Sequence, residues 1–229
     1  MVLFAAAFGI GIARIVYNAT AGREARIRRR LARRAPVAVA EALEGPVRLI
    51  GRVHPTGEPL IAPISRRPCI AYQTKISLGN DDGWNKALGL EDMCPFILAD
   101  ETGQAVIEVE AGPYSILLVP GSSASSSLFR EDSAEMKNAR GLLRSENIDD
   151  QTFFGKNRPV KFSESVLLAG AEVSVAGRCT REVALDGERG GYRDLPQRLV
   201  VRGTAEEPLL LCSWREVLEK PAPVRPKSR

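Results

Sequence analysis

The stretch VRLIGRV (Val47 to Val53) places Val47, Leu49, Gly51 and Val53 on one face and Arg48, Ile50 and Arg52 on the other. That period of two is the mark of a β-strand with one buried face. Gly51 is the expected bulge or bend within it. Similar segments recur along the chain after Pro36, separated by Gly, Pro and short polar clusters. A chain written this way must bury its apolar faces between strands, which confines it to a mainly β fold.

The next segments keep the same texture. PTGEP (Pro55 to Pro59) has turn chemistry, and CIAYQTKISL (Cys69 to Leu78) alternates again. PFILA and AVIEVE flank Asp100-Glu101-Thr102-Gly103, a polar loop with glycine, which predicts a β-hairpin. YSILLVP (Tyr114 to Pro120), VLLAGAEVSVAGRC (Val166 to Cys179), RLVVRG (Arg198 to Gly203) and PLLLCS (Pro208 to Ser213) supply further strands. Between them, Gly121 to Ser127 reads as a flexible linker and Ser133 to Glu146 has helical texture interrupted by Gly141. One echo is visible: Val47-x-Leu49-x-Gly51-Arg52-Val53 and Val173-x-Val175-x-Gly177-Arg178-Cys179 share one pattern, by chance or by duplication. Many short strands with such turns predict a small OB-like barrel or a β-sandwich over residues 41–215, with an excursion at 121–157. That excursion is too long for a plain connector and is expected to lay a helix over one barrel end. The proline-rich basic tail, 216–229, is expected to be disordered.

Charge divides the chain sharply. Residues 1–34 hold eight arginines against one glutamate, whereas residues 35–229 carry 24 basic and 27 acidic side chains. Val2 to Gly22 holds a single charge, Arg14, and as a helix it would reach about 31 Å, close to one hydrocarbon thickness. It is followed by Arg23, Arg26, Arg28, Arg29, Arg30, Arg33 and Arg34. Such a cluster attracts anionic headgroups and stays on the cytoplasmic side. The expectation is a single-pass membrane helix over 1–22, a basic juxtamembrane helix over 23–40, an outside N-terminus and a cytoplasmic C-terminal domain. A cleaved signal peptide and an interfacial helix are the alternatives, although a signal peptide places its basic residues before the apolar run. A solvated face also accounts for the arginines, since Ile27 and Leu31 give the helix an apolar stripe.

Little in the sequence carries chemistry. Four cysteines and one histidine exclude a disulfide scaffold and any site needing several imidazoles. His54 has no orienting partner or nucleophile nearby, and Cys69 follows Arg66 and Arg67 but has no evident base. The acidic pairs Asp81-Asp82, Glu91-Asp92, Asp149-Asp150 and Glu206-Glu207 sit in turn or loop texture, where solvated charge is the ordinary state. No phosphate-binding loop, dinucleotide fingerprint or nucleophile elbow is present. The body is acidic and its aromatic residues are scattered, so nucleic acid is not an expected partner even for an OB-like barrel. No metal or cofactor is implied.

The segments Gly45 to Ile76, Cys94 to Gly112 and Glu164 to Arg178 resemble the GIDE domain, also called the BAM ("beside a membrane") domain. That domain occurs in mitochondrial membrane-anchored ubiquitin ligases and in bacterial and archaeal proteins. The residues that carry the resemblance are Gly51, Pro63, Pro68, Cys69, Tyr72, Pro95, Phe96, Asp100, Gly103 and Gly177, together with Gly170. It implies a domain lying against a membrane. In the ligases a second membrane helix and a RING finger follow, and a RING needs eight Cys/His ligands, mostly in close pairs. Here Cys69, Cys94, Cys179 and Cys212 are spaced 25, 85 and 33 residues apart, so ligase activity does not carry over.

The expected function is a non-catalytic, membrane-anchored module that binds a protein or ligand beside the bilayer. An accessory subunit that gives a separately encoded ligase-like enzyme, protease or other effector its membrane address is the alternative. Asp100 to Gly103, Ile64 to Cys69 and Gly121 to Asn157 are the expected interaction loops.

Overall fold

The structure, a computed structural model, describes residues 22–80, 83–125, 133–152, 155–183 and 197–219. The expected membrane helix over 1–22 lies almost wholly outside the described residues, as does most of the expected tail. Among the described residues, no helix is long and apolar enough to cross a membrane.

The fold is mainly β. Its strands are β1 (Gly45–Pro55), β2 (Leu60–Ile61), β3 (Pro68–Cys69), β4 (Ala71–Asn80), β5 (Gly83–Met93), β6 (Phe96–Ala99) and β7 (Gln104–Glu108). They continue as β8 (Tyr114–Leu117), β9 (Ser122–Ser125), β10 (Val160–Leu167), β11 (Glu172–Val183), β12 (Gln197–Arg202) and β13 (Leu209–Cys212). Among the described residues three α-helices accompany them: α1, described over residues 22–32, α2 (Ala134–Ser145) and α3 (Arg215–Leu218).

Of barrel and sandwich, the structure is a barrel. β1, β6, β7, β12 and β11 pair in that order, and β11 returns to β1, closing five strands on themselves. Around the barrel every pairing is antiparallel except β7 with β12; β13 and β8 extend the same sheet from β11 and pair with each other in parallel. The alternation in β1 is realised as written: Val47, Leu49 and Val53 point into a core with Phe96, Leu98, Ile107, Val173, Val175 and Val201. Fully burying a side chain of the size of Phe96 stabilises by about 1.5–3 kcal/mol.

The two echoed segments are direct partners. β1 and β11 pair so that Leu49 faces Val175, Gly51 faces Val173 and Val47 faces Gly177. The pattern is thus laid out about a local two-fold centred on Leu49 and Val175. Its glycines have matching tasks: a Cβ on Gly51 would lie 2.5 Å from the Ala99 carbonyl oxygen of β6, and one on Gly177 would lie 2.8 Å from that of Arg202 in β12. Each glycine lets the neighbouring strand cross where the barrel turns.

A four-stranded antiparallel sheet, β5-β4-β10-β9, stands beside the barrel. Its apolar face carries Ile76, Leu78, Val160 and Phe162, and α2 lies on it through Met136, Ala139 and Leu143. The spacing of those helix residues gives one apolar stripe. Ser133 caps the helix by accepting from the Met136 N–H at 3.2 Å. Gly141 does not break it, because an exposed helical glycine costs only about 1 kcal/mol.

Five expectations are corrected by the structure. Residues 122–125 form β9, paired with β10 through Ser122–Ser125, and are not a linker. The helix of the excursion covers the four-stranded sheet rather than a barrel end, because that sheet offers the exposed apolar face. β5, which contains Glu91 and Asp92, is a strand of 11 residues where turn or loop texture was expected. The basic segment differs as well: its helix ends at residue 32 and a 3-10 turn, Val39–Glu41, follows. Residues 215–218 are helical, so the ordered part reaches into the expected tail.

Candidate functional site

The seven arginines of the basic segment separate into two groups. The apolar stripe of α1, Ile27 and Leu31, is buried against Leu117, Ala176, Leu210 and Cys212 on the outer side of β8, β11 and β13 and against Val217 of α3. Docking that stripe fixes which arginines face the domain. Arg23 pairs with Glu91, Arg28 with Glu216 at 3.5 Å and Arg34 with Glu207 at 3.1 Å. The Arg28 guanidinium also lies 3.9 Å from the centroid of the Trp214 ring. Arg26, Arg29, Arg30 and Arg33 are exposed and make no ion pair among the described residues. Their spacing of i, i+3, i+4 and i+7 sets them along one outward stripe.

What holds α1 in place is an arginine that the sequence pattern leaves on the outer face of β1. Arg48 is only 2% exposed. Its Nε donates to Ser174 Oγ at 2.9 Å, one terminal nitrogen donates to the Leu31 and Arg34 carbonyl oxygens at 2.9 and 3.1 Å, and the other donates to the Val217 carbonyl oxygen. One cation therefore satisfies carbonyls at the C-terminal ends of both α1 and α3, where the helix dipole favours positive charge. Burial lowers the pKa of this guanidinium from its ordinary value, partly offset by the Cys212 thiol beside it.

Between α1 and the polar face of the four-stranded sheet lies a cleft of about 470 Å³. The sheet contributes Lys75, Lys86, Ser123, Ser163 and Ser165, while Ile27, Ile116 and Trp214 make an apolar wall. Sequence reasoning missed these sheet residues. The signal available was Lys75-x-Ser77, Ser123-x-Ser125 and Ser163-x-Ser165, small polar side chains at the strand period.

The family-signature residues are spread over the scaffold rather than gathered in this cleft. Gly51 and Gly177 admit crossing strands, Phe96 fills the barrel and Gly170 adopts φ 80° in the turn before β11. Pro63 lies in the loop between β2 and β3, Pro68 and Cys69 form β3, and Tyr72 is half-buried in β4. The Pro95 carbonyl oxygen accepts from the Thr56 hydroxyl at 2.9 Å. The Asp100 carboxylate accepts from the N–H groups of Thr102 and Gly103 and from Val39 across the 3-10 turn. Two of the expected interaction loops are thus bound internally. The second, Ile64 to Cys69, is pinned by Glu164, itself 2% exposed, whose carboxylate accepts from the N–H groups of Ile64 and Ser65 at 2.8 Å each and from Thr74 Oγ1 at 3.1 Å.

The groups considered for catalysis do not converge. His54 is exposed at the end of β1. Cys69 is buried, and burial, with Cys94 and Glu164 nearby, pushes its thiol up to about 11. Asp150 is buried in an ion pair with Arg140 at 3.0 Å, and Glu207 is held by Arg34. Asp81 and Asp82 lie outside the described residues. Among the described residues, no cluster of His, Cys, Asp or Glu is arranged to hold a metal ion. Comparisons with protein-family models, with curated proteins and with solved structures find no match.

Proposed function

We propose that this protein is a non-catalytic module of GIDE type that stands on the cytoplasmic face of a membrane and binds a protein or ligand there. The observation that carries the reading is the outward stripe of Arg26, Arg29, Arg30 and Arg33, without carboxylate partners among the described residues while the apolar side of the same helix is buried. A helix whose apolar side is already covered has no need of four aligned cations for stability, since like charges at i, i+4 repel. An anionic lipid surface supplies the missing counter-charge at about 1 kcal/mol per arginine.

Two further features support it. The apolar run Val2 to Gly22 leads directly into α1, so the stripe would lie at the bilayer surface with the chain after it inside. The barrel, with its single parallel pair between β7 and β12, agrees with the OB-like fold expected from the strand pattern.

The test is fractionation of the full chain and of a variant carrying R26E, R29E, R30E and R33E, with carbonate extraction and protease accessibility of the C-terminus. The full chain is expected to resist extraction with its C-terminus on the cytoplasmic side. The charge-reversed variant is expected to lose that uniform orientation. A full chain cleaved near Ala21 and exported, or a variant oriented as the parent is, would sink the proposal.

A further inference from the structure

The four-stranded sheet has one face covered by α2 and one face that is polar. Across the polar face the register sets Gly89, Lys75, Ser163 and Ser123 side by side over β5, β4, β10 and β9. The flanking rows are Lys86, Ser77, Lys161 and Ser125 on one side and Glu91, Gln73 and Ser165 on the other. An antiparallel sheet with one dry face ordinarily exposes such a surface to water. Here α1 lies across part of it and turns it into the cleft of about 470 Å³.

The charges in that cleft are not all used. Arg23 is occupied by Glu91, and Lys75 stands 4.0 Å from Glu24. Gln73 donates to Glu91 at 3.1 Å and to the Ile116 carbonyl oxygen at 2.8 Å, so its amide is committed to the edge of β8. Lys86 has no carboxylate partner among the described residues, and the missing side chain at Gly89 gives it its position: a Cβ there would lie 2.8 Å from the Lys86 Nζ. The ammonium therefore folds back over the sheet toward the serine row. The Ser123 and Ser163 hydroxyls likewise hold no hydrogen bond among the described residues, whereas Ser165 accepts from the Gly121 N–H at 3.2 Å. An ammonium and two hydroxyls without partners among the described residues, with a second lysine between them, thus line one cleft beside an apolar wall that contains Trp214.

We propose that this cleft binds a phosphate group, carried by a lipid headgroup or by a free phosphorylated small molecule. Lysine and serine match its chemistry: the lysine is a compact cation with three donors, and hydroxyls donate to anionic oxygens without adding charge. The lipid source deepens the membrane reading above and rests on it, because the cleft adjoins the first turns of α1, where the chain would leave the bilayer. The apolar wall then meets the glycerol and upper acyl region. The free source does not need the membrane.

The experiment uses the full chain in neutral detergent, carrying W84F so that Trp214 alone reports, and follows its fluorescence on titration. The probes are inorganic phosphate, sn-glycerol 3-phosphate and phosphatidic acid in mixed micelles, each with the K86E and S163D variants beside the parent. Saturable binding that weakens at least tenfold in K86E and S163D, and is restored in K86R, is the expected result. Saturation by phosphatidic acid alone assigns the lipid source, and equal saturation by the soluble phosphates assigns the free one. No saturable change with any probe, or affinities unaltered in both K86E and S163D, overturns the proposal. Because the readout is made in detergent, its failure leaves the orientation test untouched, and the reverse also holds.

Discussion

Arg48 on β1 donates to the carbonyl oxygen of Leu31 over 2.9 Å and so joins the barrel wall to the end of the basic helix. The same guanidinium reaches Arg34, Val217 and Ser174. Arg48→Met strands these acceptors in a buried site, where each unsatisfied group costs about 1–3 kcal/mol. The expected loss is about 3 kcal/mol in denaturant unfolding. It should be accompanied by protease cleavage within residues 22–44 of the folded protein. An unchanged midpoint and an unchanged cleavage pattern would show that α1 is held by its apolar stripe alone.

Gly51→Ala places a methyl group 2.5 Å from the Ala99 carbonyl oxygen and 2.9 Å from its carbonyl carbon, backbone atoms that cannot swing aside as a flexible side chain would. Overpacking of this kind costs about 1–3 kcal/mol. Gly57→Ala meets nothing within 4 Å and is the matched control, expected within about 0.5 kcal/mol of the parent. Equal midpoints for the two variants in thermal unfolding would contradict the strand-crossing role of Gly51.

Asp100 provides a pH signature. Partial burial acts to raise its pKa, but the Thr102 hydroxyl and the N–H groups of Val39, Thr102 and Gly103 outweigh it and hold the carboxyl below its ordinary value. A depressed folded pKa means that this contribution is fully present above the unfolded pKa, near 3.9, and is lost as pH falls through the folded one. The stability difference between the parent and Asp100→Asn is therefore expected to be constant above about pH 5 and to shrink below about pH 4. A difference that stays flat down to the acid limit of folding would exclude the carboxylate as its source.

All four cysteines are free thiols, and three are buried. Cys94 is half-buried, and desolvation raises its thiol while its Sγ donates to the Ile70 carbonyl oxygen at 3.5 Å. In the native protein at pH 8 a thiol-disulfide reagent is expected to label Cys94 first and slowly, with Cys69, Cys179 and Cys212 protected. Four equivalents should react once the chain is unfolded without reductant. Fewer than four would reveal a disulfide.

How much of this was legible depended on where each residue's partners lie. Val47, Leu49 and Val53 declared their strand because the burial pattern of a barrel wall is local and repeats every two residues. The hairpin of β6 and β7 was legible for the same reason, its loop residues being fixed by turn chemistry. β5 was not: Gly83, Trp84, Asn85 and Lys86 are all exposed, so no apolar alternation marks them. β9 reads as a linker because Ser122–Ser125 owes its extended form to hydrogen bonding with β10 rather than to side-chain pattern. Arg48 sat in the polar phase of a legible strand and looked solvated. Its burial comes from α1 and α3, elements that precede and follow the barrel and whose docking no local pattern encodes.

The tie between Arg48 and Val217 spans 169 residues, and that between Arg28 and Glu216 spans 188. As the chain is synthesised, α1 emerges long before β13 and α3, the surfaces that cover Ile27 and Leu31. Closure of the barrel waits as well, because β1 needs β11 and the Arg48 to Ser174 contact is 126 residues long. Such non-local pairing is slow to form and leaves apolar surface uncovered in the meantime. The basic helix thus passes through a period in which its apolar stripe has nothing of its own chain to rest on. Whatever it meets during that interval competes with its final seat, so the order of events at birth bears on where this chain ends up.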